Sequence, residues 1–170
     1  MNHYNFSPIG VVHSPYKEKF AIPRQPGLVT AANGSIHLLN NANNIDMVRG
    51  LEQFSHIWLL FVFHATQAQG WKPLVRPPRL GGNKKLGVLA TRSTFRPNPI
   101  GMSVVKLNSI RQSQTNKKQI IVDIGELDLL DGTPILDIKP YIPYCDAIDS
   151  ATAGFAQQIP EKKLNVQFSH

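Results

Sequence analysis

HIWLLFVFH, residues 56–64, holds the longest apolar run of the chain, and its reading decides the fold. Seven apolar residues between two histidines fall far short of the roughly 20 that a membrane-spanning helix needs. Both alternating sets are apolar: Ile57, Leu59, Phe61 and Phe63 on one side, Trp58, Leu60 and Val62 on the other. That length and composition predict a β-strand covered on both faces.

Outward from this strand, most segments share its character. Residues 8–14 (PIGVVHS), 86–91, 102–110 and 119–130 read as strands. Asn33-Gly34 predicts a hairpin turn feeding a strand over 35–39. Asp131-Gly132-Thr133-Pro134 predicts a turn, with a strand resuming over 135–138. One helix is expected over 43–54, where Ile45, Val48, Leu51 and Phe54 recur and Asn43 or Asn44 can cap, although Gly50 weakens it. Many strands with turn signals and few helices imply a mainly β fold, a closed or nearly closed barrel with one short helix. At 170 residues with 42% hydrophobic content the chain suits one domain with a sizeable core. The barrel is expected to occupy 1–150. A C-terminal segment, 151–170, ends in KLNVQFSH, which alternates like the beginning of a strand and suggests the start of a further domain.

Cys145 stands alone and cannot form an internal disulfide. With no secretory leader in MNHYNFSPIG, this points to a reducing, cytoplasmic setting. The net charge of +7 is unevenly spread: residues 71–120 carry eleven Lys and Arg without an acid, and 121–150 carry seven acids and one Lys. Such a block repels itself unless a polyanion compensates, and a phosphate backbone is the common one.

Several site motifs are missing. No G-x-G-x-x-G follows a strand, and the glycines at 82 and 87 lack the Lys-Ser/Thr of a phosphate loop. Neither H-E-x-x-H nor paired C-x-x-C occurs, and the six histidines show no ligand spacing, so no metal is expected. Four segments remain. ATRSTFRPNPIGMS, 90–103, sets Arg92 and Arg96 four apart in a proline-stiffened loop; a rigid barrel corner and an anion clamp explain it equally well. LDLLDGTPILDIKPY, 127–141, crowds Asp128, Asp131 and Asp137 round a turn, either as turn chemistry or as carboxylates that receive a proton. PRQPG, 23–27, reads as an exposed loop, and His64-Ala65-Thr66 closes the apolar strand at what would be a barrel mouth.

Taken in order, PYKEKFAIPRQPG, VRGLEQFSHIWLLFVFH, VRPPRLGG, GVLATRSTFRPNPIGMS and LDLLDGTPILDIKPY resemble the TsaA-like family, most closely its TrmO-type bacterial tRNA (adenine-N6)-methyltransferase branch. The resemblance implies a single small β-barrel that pairs as a homodimer. It implies an enzyme that uses S-adenosylmethionine to methylate N6 of threonylcarbamoyladenosine at position 37 of threonine tRNA. It also implies a cofactor site at Arg24, Gln25 and Pro26; at His64 and Ala65; at Arg92 and Met102; and at Asp128, Leu129, Leu130 and Asp131. Asp131 or Asp137 is expected to accept the N6 proton or orient the nitrogen. The partners expected are tRNA and a second copy of the chain, with no membrane and no metal. The competing readings are an RNA-binding barrel without catalysis and a methyltransferase acting on another RNA or a small molecule.

Overall fold

In a computed structural model of the chain, residues 2–158 are described. Eight strands follow in order: β1 (Gly10–His13), β2 (Asn33–Leu38), β3 (His56–Val62), β4 (Leu74–Val75), β5 (Leu86–Gly87), β6 (Ile100–Gln112), β7 (Ile120–Gly125) and β8 (Pro134–Pro140). Six of them close a barrel in the order β1-β2-β7-β6-β3-β8, every pair antiparallel. β4 and β5 form a separate two-stranded ribbon. Closure leaves no open sheet edge on the six-stranded barrel.

Every second residue of β3 points inward. Ile57, Leu59 and Phe61 are buried, and Val12, Ile36, Val105, Ile124 and Ile135 meet them from the other strands. Each such side chain contributes about 1.5–3 kcal/mol relative to an exposed position. Trp58, Leu60 and Val62 are only half-buried, so β3 is not covered on both faces as its composition implied. Its outer face looks onto a strip formed with β6, where Met102 lies opposite Leu60 and Ile100 opposite Val62; these two are 49% and 40% exposed. A closed barrel has an inside and an outside, and the apolar outer set marks a surface rather than a second core.

Gly101 explains the glycine in the Arg-Pro-Asn-Pro-Ile-Gly stretch. A Cβ there would lie 2.4 Å from the Phe61 ring, which packs edge-on against Phe63 with centroids 5.3 Å apart.

Three local expectations need correcting. Residues 43–54 form no α-helix but two 3₁₀ turns, Ile45–Val48 and Leu51–Gln53, parted by Gly50 at φ 86°. Ile45, Val48, Leu51 and Phe54 recur at a strict period of three, which is the 3₁₀ repeat rather than 3.6. Asn44 does cap the first turn, accepting from the Asp46 N–H at 3.0 Å. Among the described residues the one α-helix is Pro143–Asp146. Asn33-Gly34 is not a turn either: it begins β2, paired with Gly125 and Ile124, and β1 reaches it through the long connection 14–32. Gly34 is needed for close approach, since a Cβ would sit 2.6 Å from the His13 carbonyl oxygen. Finally, two strands are shorter than expected. Only Leu86–Gly87 pairs within 86–91, and β7 stops at Gly125, before Glu126 at φ 57°.

The Asp131-Gly132 turn forms, with Gly132 at φ 76°. Beyond the barrel, a 3₁₀ turn at Gly154–Ala156 is held by Arg79, whose Nη1 donates to the Ala156 carbonyl at 3.4 Å. The KLNVQFSH stretch lies outside the described residues.

Candidate active site

Glu126 turns the chain out of β7, and residues 127–133 fold back over the end of the barrel. The Asp131 N–H donates to the Tyr16 carbonyl and the Gly132 N–H to the Val12 carbonyl, both at 2.8 Å. Leu127 and Leu129 enter the core, which turns Asp128 to the other side of the segment. Asp128 as a residue is half-buried, yet its Oδ1 is shut off from solvent and has no hydrogen-bond partner among the described residues. Burial raises its pKa to about 6, against the pull of the Ser103 hydroxyl, its own backbone N–H and the Arg92 charge. Ser103 reaches it from the inner face of β6. Tyr16, buried just after the end of β1, feels the same carboxyl: burial first, then the Asp128 charge, raises its pKa.

The loops that carried the sequence signals meet at this mouth. Arg92 Nη1 donates to Gln25 Oε1 at 3.0 Å, which joins segment 90–103 to segment 23–27. The Gly27 N–H donates to the Glu126 carbonyl at 2.9 Å, which ties segment 23–27 to the aspartate loop. The Phe63 N–H donates to the Pro99 carbonyl at 2.8 Å, which sets the end of β3 beside the same loop. His64 follows, with a buried Nδ1 that lacks a partner among the described residues. The two arginines of the 90–103 loop differ in their partners. Arg96 Nη1 donates to the Thr91 and Val88 carbonyls at 2.6 and 3.3 Å and braces its own loop. Arg92 reaches across to Gln25 on another segment, and its charge acts on Asp128.

The remaining expected residues are placed as follows. Arg24 and Ala65 are exposed, and Pro26 is half-buried. Met102 lies on the outer face of β6, next to Ser103. The Leu129 side chain is core, and its carbonyl accepts the Ser14 hydroxyl at 2.7 Å; the Leu130 carbonyl accepts the Thr133 hydroxyl at 2.7 Å. Asp131 Oδ1 accepts the Ser14 N–H at 2.9 Å, and Oδ2 pairs with Lys17 Nζ at 2.7 Å. The Lys17 hydrogen bond, then that from Ser14, holds its pKa below the usual carboxylate range. Asp137 has other surroundings. It sits on β8 opposite Leu60, pairs with Lys139 at 2.8 Å, and lines a depression of 480 Å³ with Met47, Arg49 and Phe54. Sequence reasoning did not single out Ser14, Tyr16, Lys17 or Ser103. Tyr16, Lys17 and Ser103 stand inside stretches that carried the family resemblance, but nothing in their spacing marked them.

A carboxyl whose pKa burial raises to about 6, with a buried oxygen that lacks a donor and an arginine charge acting on it, suits a ligand that is both cationic and anionic. Among the described residues no group of three or more His, Cys, Asp or Glu is placed to hold a metal ion, and no helix is long and apolar enough to cross a membrane.

The family described as tRNA-methyltransferase O N-terminal domain matches residues 11–147, which contain the whole barrel beyond its first residue. The chain belongs to this family. Among curated relatives, the Escherichia coli K12 protein named tRNA (adenine(37)-N6)-methyltransferase is 56% identical over 169 residues, 99% of this chain and 71% of the relative. A Pseudomonas aeruginosa protein named a putative S-adenosylmethionine-dependent methyltransferase is 50% identical over 157 residues, 92% of this chain and 65% of the relative. A crystal structure of TrmO from Pseudomonas aeruginosa superposes with a TM-score of 0.75 at 45% identity, covering 94% of this chain and 65% of that one. The family's barrel is thus the fold seen here, and this chain spans about two thirds of the length of several of its relatives.

Proposed function

We propose that the barrel mouth binds S-adenosylmethionine and that the chain methylates N6 of adenosine 37 in tRNA, with the threonylcarbamoyl-modified base of threonine tRNA as its acceptor. Family membership and the names of its relatives support the reaction. The observation that carries the site is the buried, unpartnered Asp128 Oδ1 under the charge of Arg92, which is itself hydrogen-bonded to Gln25.

When bound, S-adenosylmethionine supplies a methyl group activated by a cationic sulfur, so the protein's task is mainly positioning. Arg92, and Arg24 beside Gln25, would hold its carboxylate through their planar forks. Asp128 would receive its ammonium, and the ligand's positive charge would drive that carboxyl to the ionised form. His64 Nδ1 is a further buried group suited to a polar contact. The adenine N6 proton goes to a carboxylate. Each carboxylate is ion-paired with a lysine, and Asp131 is proposed before Asp137 because it shares the loop of Asp128 whereas Asp137 stands on β8. Asp131 is held ionised by Lys17 and Ser14, which suits orientation of the nitrogen and makes it a weaker base.

The outer apolar strip of Leu60, Val62, Ile100 and Met102 supports pairing of two copies. The lone cysteine and the tRNA substrate support a cytoplasmic setting. The segment after residue 150 is proposed to lead into the further length that the relatives possess.

Transfer of labelled methyl from S-adenosylmethionine to tRNA, with and without the threonylcarbamoyl group, tests the reading. Label is expected on the modified tRNA alone. Thermal stabilisation by the methyl donor tests the site itself: at a hundred times its Kd the ligand adds about 2.7 kcal/mol. Stabilisation without transfer would leave the acceptor wrong. Neither effect, with tRNA still bound, would leave an RNA-binding barrel without catalysis.

A further inference from the structure

The outside of the barrel has two unlike halves. The β3–β6 half carries the apolar strip described above. The β1–β2–β7 half carries His13, Ser35, His37 and Asp123, and Ser109 and Arg111 join it from the far end of β6. We propose that this second half grips the phosphate backbone of the tRNA through His13 and His37, with Arg111, ion-paired to Asp123, at the end of their row, and so leads the strand from the barrel mouth along β2. The proposal rests on the tRNA reading above and adds to it the face that binds.

The register sets His13, His37 and Arg111 in a row. His13 lies opposite Ser35, and His37 opposite Val11, so the two rings are diagonal neighbours on adjacent strands, with centroids 4.1 Å apart. His37 pairs across β2–β7 with Ile121, and Ile121 pairs across β7–β6 with Arg111. The one acid on this face is already committed. Asp123 accepts Arg111 Nε at 2.7 Å, Arg111 Nη2 at 3.1 Å and the Ser109 hydroxyl at 2.7 Å. Burial opposes its ionisation, but the Arg111 and Ser109 hydrogen bonds prevail and keep its pKa low.

His37 therefore faces His13 from β1, Arg111 from β6 and the occupied Asp123 from β7. Its pKa is lowered, first by burial, then by His13 and Arg111, with Asp123 opposing. In the free protein such a pair of imidazoles repels a second charge. A phosphate placed over them removes the repulsion, favours the imidazolium and receives charge-assisted hydrogen bonds.

The row has a beginning and an end. His13 acts electrostatically on Asp131, which with Lys17 forms the rim of the mouth. At the other end of β2, Asn40, Asn41, Gln112 and Lys118 line an open cleft of 670 Å³. Six residues of β2 span the interval, about 20 Å at strand rise. Amide side chains in such a cleft offer donors and acceptors to base edges.

The test is binding of the full chain to tRNA at pH 6 and pH 8 and constant ionic strength, by fluorescence anisotropy. Because binding takes up protons, affinity is expected to be about threefold or more higher at pH 6. The double variant H13Q/H37Q should lose that rise. Asp128 titrates in the same interval in both proteins, so the difference between them isolates the histidines. H37K keeps a cation at every pH and should bind more tightly than the unchanged chain at pH 8, which guards against a double variant that merely misfolds. An unchanged pH response in H13Q/H37Q, or no gain in H37K, overturns this inference while the tRNA reading stands. A chain that binds no tRNA at either pH overturns both.

Discussion

Asp128 and Asp131 stand three residues apart in one loop and are driven in opposite directions. Asp128 is turned toward Tyr16 and Ser103 at the floor of the mouth, and burial raises its pKa to about 6. Asp131 lies at the rim, 30% exposed, where Lys17 and the Ser14 N–H hold its pKa down. Two buried leucines, 127 and 129, fix the alternation that sends the carboxyls to these different places. The rim carboxylate is satisfied and contributes to stability. The floor carboxylate is strained, and strain of that kind is stored where a ligand will relieve it.

The largest expected effect breaks this contrast at the floor. Asp128 has a raised pKa in the folded state, so its ionisation works against folding. The cost is absent below the unfolded value of 3.8, grows as pH rises and is complete above about 6. It reaches at most about 3 kcal/mol at pH 7. Asp128→Asn should therefore stabilise the chain at pH 7 by up to that amount and by little at pH 4, while weakening binding of the methyl donor. Denaturant unfolding at the two pH values checks it. An equal effect at both would mean that the carboxyl is not strained.

The same exchange at the rim should have the opposite sign. Asp131→Asn loses the Lys17 pair and weakens the acceptor for Ser14, a loss on the order of 1 kcal/mol after allowing for solvent screening. A depressed carboxylate contributes above its unfolded value of 3.8 and ceases to contribute as pH falls through its lower folded value. The variant should be less stable than the parent at pH 7 and converge with it only as pH falls below 3.8 through that lower folded value. Unfolding curves that stay apart at acid pH would remove the ion pair as the cause.

How much of this was readable beforehand differs between the two aspartates and the loops around them. The strand-rich barrel was legible because the length and apolar content of β3 and most turn signals are local properties; which face of β3 is covered was not, since closure gives the sheet an inside and an outside. The segments of the mouth were legible through the family resemblance, and the structure joins them through Arg92–Gln25 and Gly27–Glu126. The opposite character of Asp128 and Asp131 was not, because it depends on Ser103 of β6 and on Tyr16 and Lys17 of the connection after β1, all distant in sequence. The run at 43–54 misled for a simpler reason: a period of three was read as an approximation to 3.6. Asn33-Gly34 misled because its glycine answers a steric demand from the His13 carbonyl and Leu127, both remote in sequence.

Arg92 links the floor to the neighbouring loop, and a smaller effect should follow from changing only its shape. Arg92→Lys keeps the charge that acts on Asp128 but gives up the planar fork on Gln25. Stability should barely move, whereas the Kd for S-adenosylmethionine should rise about fivefold, roughly 1 kcal/mol. Calorimetry that finds the same Kd would leave Arg92 outside the cofactor site.

The smallest effect isolates the rim pair from its backbone hydrogen bond. Lys17 is 68% exposed on its side chain, so its pair with Asp131 is largely screened. Lys17→Met should cost only a few tenths of a kcal/mol in stability. Its sharper consequence is electrical. Without Lys17, the first cause of its depression, the Asp131 pKa should move up toward the ordinary carboxylate value, with the Ser14 N–H still restraining it. The carboxyl carbon resonance of Asp131, followed through an acid titration, reads this directly. An unmoved midpoint would show that Ser14 alone holds the carboxylate, and that the rim differs from the floor by its backbone geometry rather than by its charge.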